Sequence, residues 1–183
     1  MRIISGKFKG HKLVSFDEDH IRPTTDRVKE SVFNIISGYI ESARVLDLFS
    51  GTGSLGLEAY SRGASSVEMV EINPKSIKII QKNLERLKIT DGIKILKRDA
   101  VEFVKKYEGE PYDIILIDPP FPLKICLSIL EEIDRSRVAN NHTRIVIEHS
   151  KQEPLPSEIG TLRCIDTRSY GDKLAAFYEK KGS

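Results

Sequence analysis

The tetrad Asp118-Pro119-Pro120-Phe121 directly follows the apolar run Tyr112-Asp113-Ile114-Ile115-Leu116-Ile117. Two prolines end a strand and stiffen the turn. The Asp118 carboxylate and the Pro119 carbonyl can then be held near one point, and both are hydrogen-bond acceptors. An exocyclic amino group of a nucleobase needs such a pair, because its lone pair is delocalised into the ring. Two acceptors on its hydrogens orient the group and make the nitrogen more sp³-like, so that the lone pair aims at an electrophilic methyl carbon. Positioning and preorganised electrostatics would supply most of the rate. Phe121 offers a flat face for an extruded base, and Asp118 can receive the proton released. The plain structural alternative is a strand end with a proline stop and a core phenylalanine.

A second constellation lies upstream. Asp47-Leu48-Phe49-Ser50-Gly51-Thr52-Gly53-Ser54-Leu55-Gly56 follows a short apolar run and opens a helical pattern, and Gly51, Gly53 and Gly56 match G-x-G-x-x-G. Glycines let such a loop turn tightly and let a ligand approach the backbone. Glu71, followed by Ile72, stands at the tip of the next strand, where a carboxylate can accept both hydroxyls of a ribose. Asp99, followed by Ala100, stands at the tip of the third, where a carboxylate could meet an adenine amine. Either a dinucleotide or S-adenosylmethionine could use this arrangement. Asp47 tilts the choice to S-adenosylmethionine, because its charge suits an ammonium and a sulfonium better than phosphates. The cofactor set is thus Asp47, Phe49, Ser50, Gly51, Thr52, Gly53, Glu71, Ile72, Asp99 and Ala100.

These residues need a particular frame. From residue 44 onward short apolar runs alternate with amphipathic stretches: strands at 44–48, 66–71, 93–96, 112–117 and 143–148, helices at 55–61, from Pro74 to Leu87, at 100–107 and at 123–133. This βαβα rhythm predicts an α/β fold with a mostly parallel sheet covered by helices on both sides. The final runs, 161–168 and 173–179, are separated by four residues, too few for a crossover helix, so the last strand should be antiparallel. The first and fourth strands are neighbours at the switch point of a doubly wound sheet, which would bring the glycine loop and the proline turn together.

The chain has 183 residues, with 29 lysines and arginines against 27 acidic residues, a net charge of +2. That is one compact unit without a separate substrate domain. It divides into an extension, 1–40, and a catalytic domain, 41–183. Residues 1–14 carry Arg2, Lys7, Lys9 and Lys12 and no acid, punctuated by Gly6 and Gly10, which predicts a small basic β-hairpin. A helix from Thr25 or Asp26 to Tyr39 follows, with Val28, Val32, Phe33 and Ile36 on one face. The basic cluster suits an RNA backbone, with Arg22 and Arg27 lining the cleft between extension and sheet. A lysine-rich edge that resists aggregation is the simpler use. No apolar run is long enough for a membrane span, and a cytoplasmic monomer is expected. Cys126 and Cys164 read as buried reduced thiols, and His11, His20, His142 and His149 form no zinc pattern, so no metal is expected.

The runs Arg2-Ile3-Ile4-Ser5-Gly6-Lys7-Phe8-Lys9-Gly10 and Ile21-Arg22-Pro23-Thr24-Thr25-Asp26-Arg27-Val28-Lys29-Glu30 resemble the bacterial 16S rRNA guanine-N2 methyltransferases of the RsmD type. So do the glycine loop, Leu55-Gly56-Leu57-Glu58-Ala59, Ser61-Arg62-Gly63-Ala64, the Asp118–Phe121 tetrad and Ser169-Tyr170-Gly171-Asp172. The resemblance covers nearly the whole chain. It implies a class I S-adenosylmethionine-dependent, Rossmann-like methyltransferase fold with a seven-stranded sheet. It implies S-adenosylmethionine as donor, held by the glycine loop, Glu71 and Asp99, and a guanine of 16S rRNA as acceptor, met by Asp118, Pro119, Pro120 and Phe121. A folded small-subunit ribonucleoprotein, assembled or assembling, is the expected partner. His11 and Lys29 stand where the family usually has arginine, and each loses a bidentate fork. Other readings are a methyltransferase for adenine in DNA or glutamine in protein, a nicotinamide dehydrogenase, and a non-catalytic RNA-binding module. The dehydrogenase lacks a catalytic acid and a substrate domain, and the intact tetrad speaks against the non-catalytic module.

Overall fold

The computed structural model describes residues 1–16, 26–120 and 123–182. The chain runs through α1 (Asp26–Ile35), a 3-10 turn (Ser37–Tyr39), β1 (Arg44–Leu48), α2 (Ser54–Ser61), β2 (Ser66–Glu71) and α3 (Pro74–Leu87). It continues through β3 (Ile93–Lys97), α4 (Ala100–Lys105), β4 (Ile114–Ile117), α5 (Cys126–Arg135), β5 (Arg144–Ser150), β6 (Glu158–Ile159), β7 (Leu162–Tyr170) and β8 (Lys173–Lys180). The strands form one sheet in the order β3-β2-β1-β4-β5-β8-β7-β6.

β1 pairs in parallel with both β2 and β4, as expected for the switch point. β5 and β8 pair antiparallel, as do β7 and β8. Among the described residues the seven expected strands are present, and a two-residue β6 extends the edge to eight, because Gly160, at φ +56°, folds Glu158 and Ile159 back onto Arg163 and Leu162. All four residues of β4 are buried, since helices cover both its faces. Alternate residues feed two cores. Val45, Val67, Met69, Ile114 and Leu116 pack under α1, α2 and α3. Leu46, Leu48, Val70, Ile115 and Ile117 pack under α4 and α5.

Local chemistry sets the helix starts. Asn73 caps α3 by accepting the Lys75 N–H at 2.9 Å, with Pro74 in the first turn. Asp99 caps α4 by accepting the Glu102 N–H at 2.9 Å. α5 begins at Cys126 rather than at Leu123, and α4 stops at Lys105.

The N-terminal hairpin is smaller than expected: a single antiparallel bridge joins Arg2 and Lys12, and Gly6 and Gly10, both at positive φ, turn the loop between them. Its core is not its own. Ile3 and Leu13 share one apolar cluster with Val28, Val32 and Phe33 of α1 and with Val45 and Leu57. Arg22, the Asp17–Asp19 acidic loop and Phe121 lie outside the described residues. Both cysteines are free; Cys126 is buried, but Cys164 is only half-buried, a departure from the expected pair of buried thiols. Among the described residues no helix is long and apolar enough to cross a membrane.

Candidate active site

Every strand from β1 to β5 delivers a polar residue to the same, carboxyl edge of the sheet. Asp47 is the last but one residue of β1, Glu71 ends β2, Asp99 lies two residues past β3, Asp118 follows β4, and Glu148, His149 and Ser150 end β5. This edge is where open α/β sheets bind ligands.

The glycine loop is braced from beneath. Phe49 and Gly51 adopt positive φ, and Gly53 (φ +78°) is the left-handed N-cap of α2. A glycine N-cap has no side chain to satisfy the first helical N–H groups. Asp47 does so from β1: its Oδ2 accepts the Gly56 N–H at 2.9 Å. Gly56 packs tightly here: a Cβ would lie 2.6 Å from Met69 Cε and 2.9 Å from Asp47 Oδ2, so both side chains would have to shift. Asp47 is only 1% exposed, and burial raises its carboxyl from 3.8 to about 7, with the charges of Asp118 and Glu71 adding to the effect and the Gly56 N–H opposing it. Ser50 also turns inward, donating to the Asp47 carbonyl at 2.7 Å.

Glu71 ties β2 to this loop. Its Oε2 accepts the Gly51 N–H at 2.8 Å and its Oε1 accepts the Asn73 N–H at 2.8 Å. Each oxygen keeps further acceptor capacity for a diol. Ile72 beside it is 58% exposed, an apolar shelf at the rim. Thr52 and Phe49 are half-buried, and Ala100 is buried behind Asp99. The arrangement separates the two cofactor classes. A dinucleotide needs the N-terminal N–H groups of α2 for its pyrophosphate. Here Asp47 already accepts the Gly56 N–H, so that donor is not free for a phosphate oxygen. A group carrying a ribose diol, an aromatic base and cationic ends fits the edge, and a pyrophosphate does not.

The proline turn borders a cleft lined by Asp118, Pro119, Pro120, Cys126, Glu148 and Lys173, among others, with about 500 Å³ of empty space including its open mouth. The Pro120 carbonyl accepts the Leu123 N–H at 3.2 Å, while no described residue donates to the Pro119 carbonyl. Lys173 was not anticipated. Its Nζ lies 3.5 Å from Asp118 Oδ1 and 3.3 Å from Glu148 Oε2. Burial alone would lower its pKa, but the Asp118 and Glu148 carboxylates outweigh this and raise it. Only residue-type patterns near the tetrad were legible, and Lys173 arrives from the opposite end of the chain.

The basic extension divides around α2. At its base, Arg2 and Lys12 sit beside the glycine loop, because the Arg2 carbonyl accepts from Lys29 Nζ (2.6 Å), which also donates to Ser54 Oγ (3.0 Å). At its tip, Lys7 and Phe8 donate backbone N–H groups to Ser61, one helix length away, roughly 12 Å. Lys7, Lys9, Lys12 and Arg27 are exposed; Arg2 is exposed too but paired with Asp26 at 2.9 Å. His11 is exposed and its ring bonds the Phe8 carbonyl. Lys29 is fully buried, so its departure from arginine concerns packing. It pairs with the equally buried Glu58 at 3.5 Å. Glu58 also accepts the N–H groups of Ile4 (2.8 Å) and Ser5 (3.1 Å) and Arg62 Nε (2.7 Å), locking the extension onto α2.

Solved structures share this architecture. The Escherichia coli protein yhhF superposes with a TM-score of 0.88 at 28% identity, covering 100% of this chain and 99% of that one. A conserved hypothetical protein of Streptococcus pyogenes gives 0.78 at 32% identity, covering 85% and 96%. Strand order, glycine loop and acidic edge define a methyltransferase of the class I, Rossmann-like fold. Family membership is narrower still. The family model described as Conserved hypothetical protein 95 matches residues 1–179, and the chain belongs to that family, the RsmD type. Its relatives include the Bacillus subtilis protein YlbH, 36% identical over 186 residues and 100% of both chains. They also include the Escherichia coli ribosomal RNA small subunit methyltransferase D, 33% identical over 157 residues, 86% of this chain and 78% of that one.

Proposed function

We propose that the protein methylates the exocyclic N2 amine of a guanine in 16S rRNA, with S-adenosylmethionine as donor. The observation that carries this reading is the junction of β1 and β4, where the glycine loop and the Asp118–Pro119 turn meet at one edge. The name of the small-subunit methyltransferase relative supports RNA as the acceptor.

Glu71 would hold the ribose hydroxyls, Ile72 the adenine face, Asp99 the adenine amine, and Asp47, with the backbone from Phe49 to Gly53, the amino-acid end. Bound there, S-adenosylmethionine supplies a methyl carbon made electrophilic by a sulfonium sulfur, which keeps the C–S electron pair as the bond to nitrogen forms. The remaining work falls to the chain. Asp118 and the Pro119 carbonyl each accept one N–H of the guanine amine, fixing the nitrogen and freeing its lone pair. Acceptors held in place before reaction would spare reorganisation as charge develops on nitrogen. Asp118 then takes the proton that the methylated nitrogen sheds. Phe121 stacks on the extruded base. The extension, residues 1–40, supplies backbone contacts through Arg2, Lys7, Lys9, Lys12, Arg22 and Arg27. A base inside a helix hides this amine in pairing, so the acceptor is an unpaired or extruded guanine on a folded small-subunit particle.

Asp118→Ala tests the assignment. Transfer to small subunits should fall by roughly 10³-fold or more, the scale of losing a preorganised electrostatic partner. S-adenosylmethionine affinity, read by calorimetry, should stay within about 3-fold. Transfer at wild-type rate would overturn the role given to Asp118.

A further inference from the structure

We infer that Lys173 is a positioning residue for methyl transfer: its ammonium holds the Asp118 carboxylate in place to meet the acceptor amine. The inference rests on the role proposed for Asp118.

Lys173 is fixed where it stands. It opens β8 after a turn in which Gly171 has φ +65°, and it pairs in register with Ser150 of β5. The Lys151 N–H bonds the Asp172 carbonyl at 3.1 Å, and the Tyr170 hydroxyl meets Ser31 Oγ at 2.6 Å, so β5 and α1 both pin the turn. From this base the side chain reaches across the end of β5 to Asp118, on the neighbouring strand tip.

The charges around Asp118 show why a cation is needed. Asp47 approaches from β1, Glu148 and His149 from β5, Cys126 from α5, and Glu153 from the loop after β5. Of these, Asp47 is coupled to Asp118 by charge, and Glu148 shares the Lys173 ammonium with it. Lys124 lines the cleft mouth, but Lys173 is within ion-pair distance of both Asp118 and Glu148. The side chains of Lys173 and Asp118 are 27% and 29% exposed, so solvent screens the pair less than it would a surface bridge. At 3.5 Å the contact is looser than a short charge-assisted hydrogen bond. Lysine thus acts as a point charge and does not wrap the carboxylate in a fork.

A purely structural alternative exists: Lys173 could serve only to neutralise Glu148, which is 4% exposed. Steady-state kinetics on small subunits lacking the modification separate the two roles, with S-adenosylmethionine affinity and melting temperature measured for each variant. Lys173→Met is expected to lower kcat by roughly 10- to 100-fold while both KM and cofactor affinity stay within about 3-fold. Lys173→Arg should recover most of kcat. Adding Glu148→Gln should not rescue Lys173→Met. In an Asp118→Asn background the same lysine substitution should cost less than about 3-fold, because the group it acts through has changed. Lys173→Gln replaces Met if the latter does not fold. Equal losses in both Asp118 backgrounds, rescue by Glu148→Gln, or an unchanged kcat would each overturn the inference. A wild-type enzyme that leaves the guanine amine unmethylated would overturn the proposed function itself, and the inference with it.

Discussion

Replacing Asp47 with asparagine isolates the energetics of the buried carboxylate beneath the glycine loop. Asp47 is 1% exposed, and burial raises its carboxyl from 3.8 to about 7. The folded protein therefore binds this proton more tightly than the unfolded chain does. The resulting stabilisation is full below pH 3.8 and is lost as pH rises through about 7. About three pH units separate the two values, and at 1.36 kcal/mol per unit the contribution is of order 4 kcal/mol. Asparagine keeps the shape, accepts the same Gly56 N–H and carries no charge. Urea unfolding of both proteins should be followed from pH 4 to pH 8.5. Carboxylates remote from Asp47 titrate alike in the two proteins and cancel in the difference; Asp118 and Glu71, which interact with its charge, contribute a smaller difference of their own. The variant should be within about 1 kcal/mol of wild type at pH 4 and more stable by roughly 3–4 kcal/mol at pH 8.5. A cationic ligand end placed near this carboxylate would favour its ionised form. Wild-type affinity for S-adenosylmethionine should therefore rise with pH through about 7, and that of the variant should not. A stability difference that stays flat with pH would refute the buried, proton-holding Asp47.

Further outcomes follow from the extension. Glu58→Ala leaves the Lys29 ammonium buried without its partner and frees the N–H groups of Ile4 and Ser5, so stability should drop by about 3–5 kcal/mol; a loss below about 1 kcal/mol by urea titration would contradict this. Gly6→Ala would push a Cβ into the Ser61 carbonyl, whereas Gly10→Ala meets open space at a similar positive φ. Both incur the left-handed backbone cost of about 1–2 kcal/mol, and only Gly6→Ala should clearly exceed it; equal effects in thermal melts would count against the docked hairpin. Changing Lys7, Lys9 and Lys12 together to alanine should weaken RNA binding and flatten its log–log salt dependence by roughly 2; an unaltered slope would remove these lysines from the interface.

The alternation of strands and helices, and the meeting of β1 with β4, were legible because periodicity and loop length act locally. β6 was not, since two residues carry no period, and its pairing depends on the turn at Gly160. The N-terminal hairpin was legible as a glycine-punctuated basic segment. Its reduction to a single bridge was not, because Glu58 and Ser61 on α2 order it alongside that short strand pairing. Glu71, Asp99 and Asp118 announced themselves as acids at strand ends. Lys29 stood out in the sequence only as a lysine where the family usually has arginine, and the structure pairs it internally with Glu58. Lys173 reads as an ordinary strand lysine until the antiparallel β8 brings it to Asp118 and Glu148. In both cases the partner lies far along the chain, and only the fold makes the pair.

The most direct measurement uses tritium-labelled S-adenosylmethionine with small ribosomal subunits lacking the modification, alongside naked 16S rRNA, DNA and protein, followed by nucleoside mapping. Label is expected in N2-methylguanosine at one position of 16S rRNA, with the subunit preferred over naked RNA. Label in adenine of DNA, in protein glutamine, or at another atom of the RNA would contradict a guanine-N2 methyltransferase.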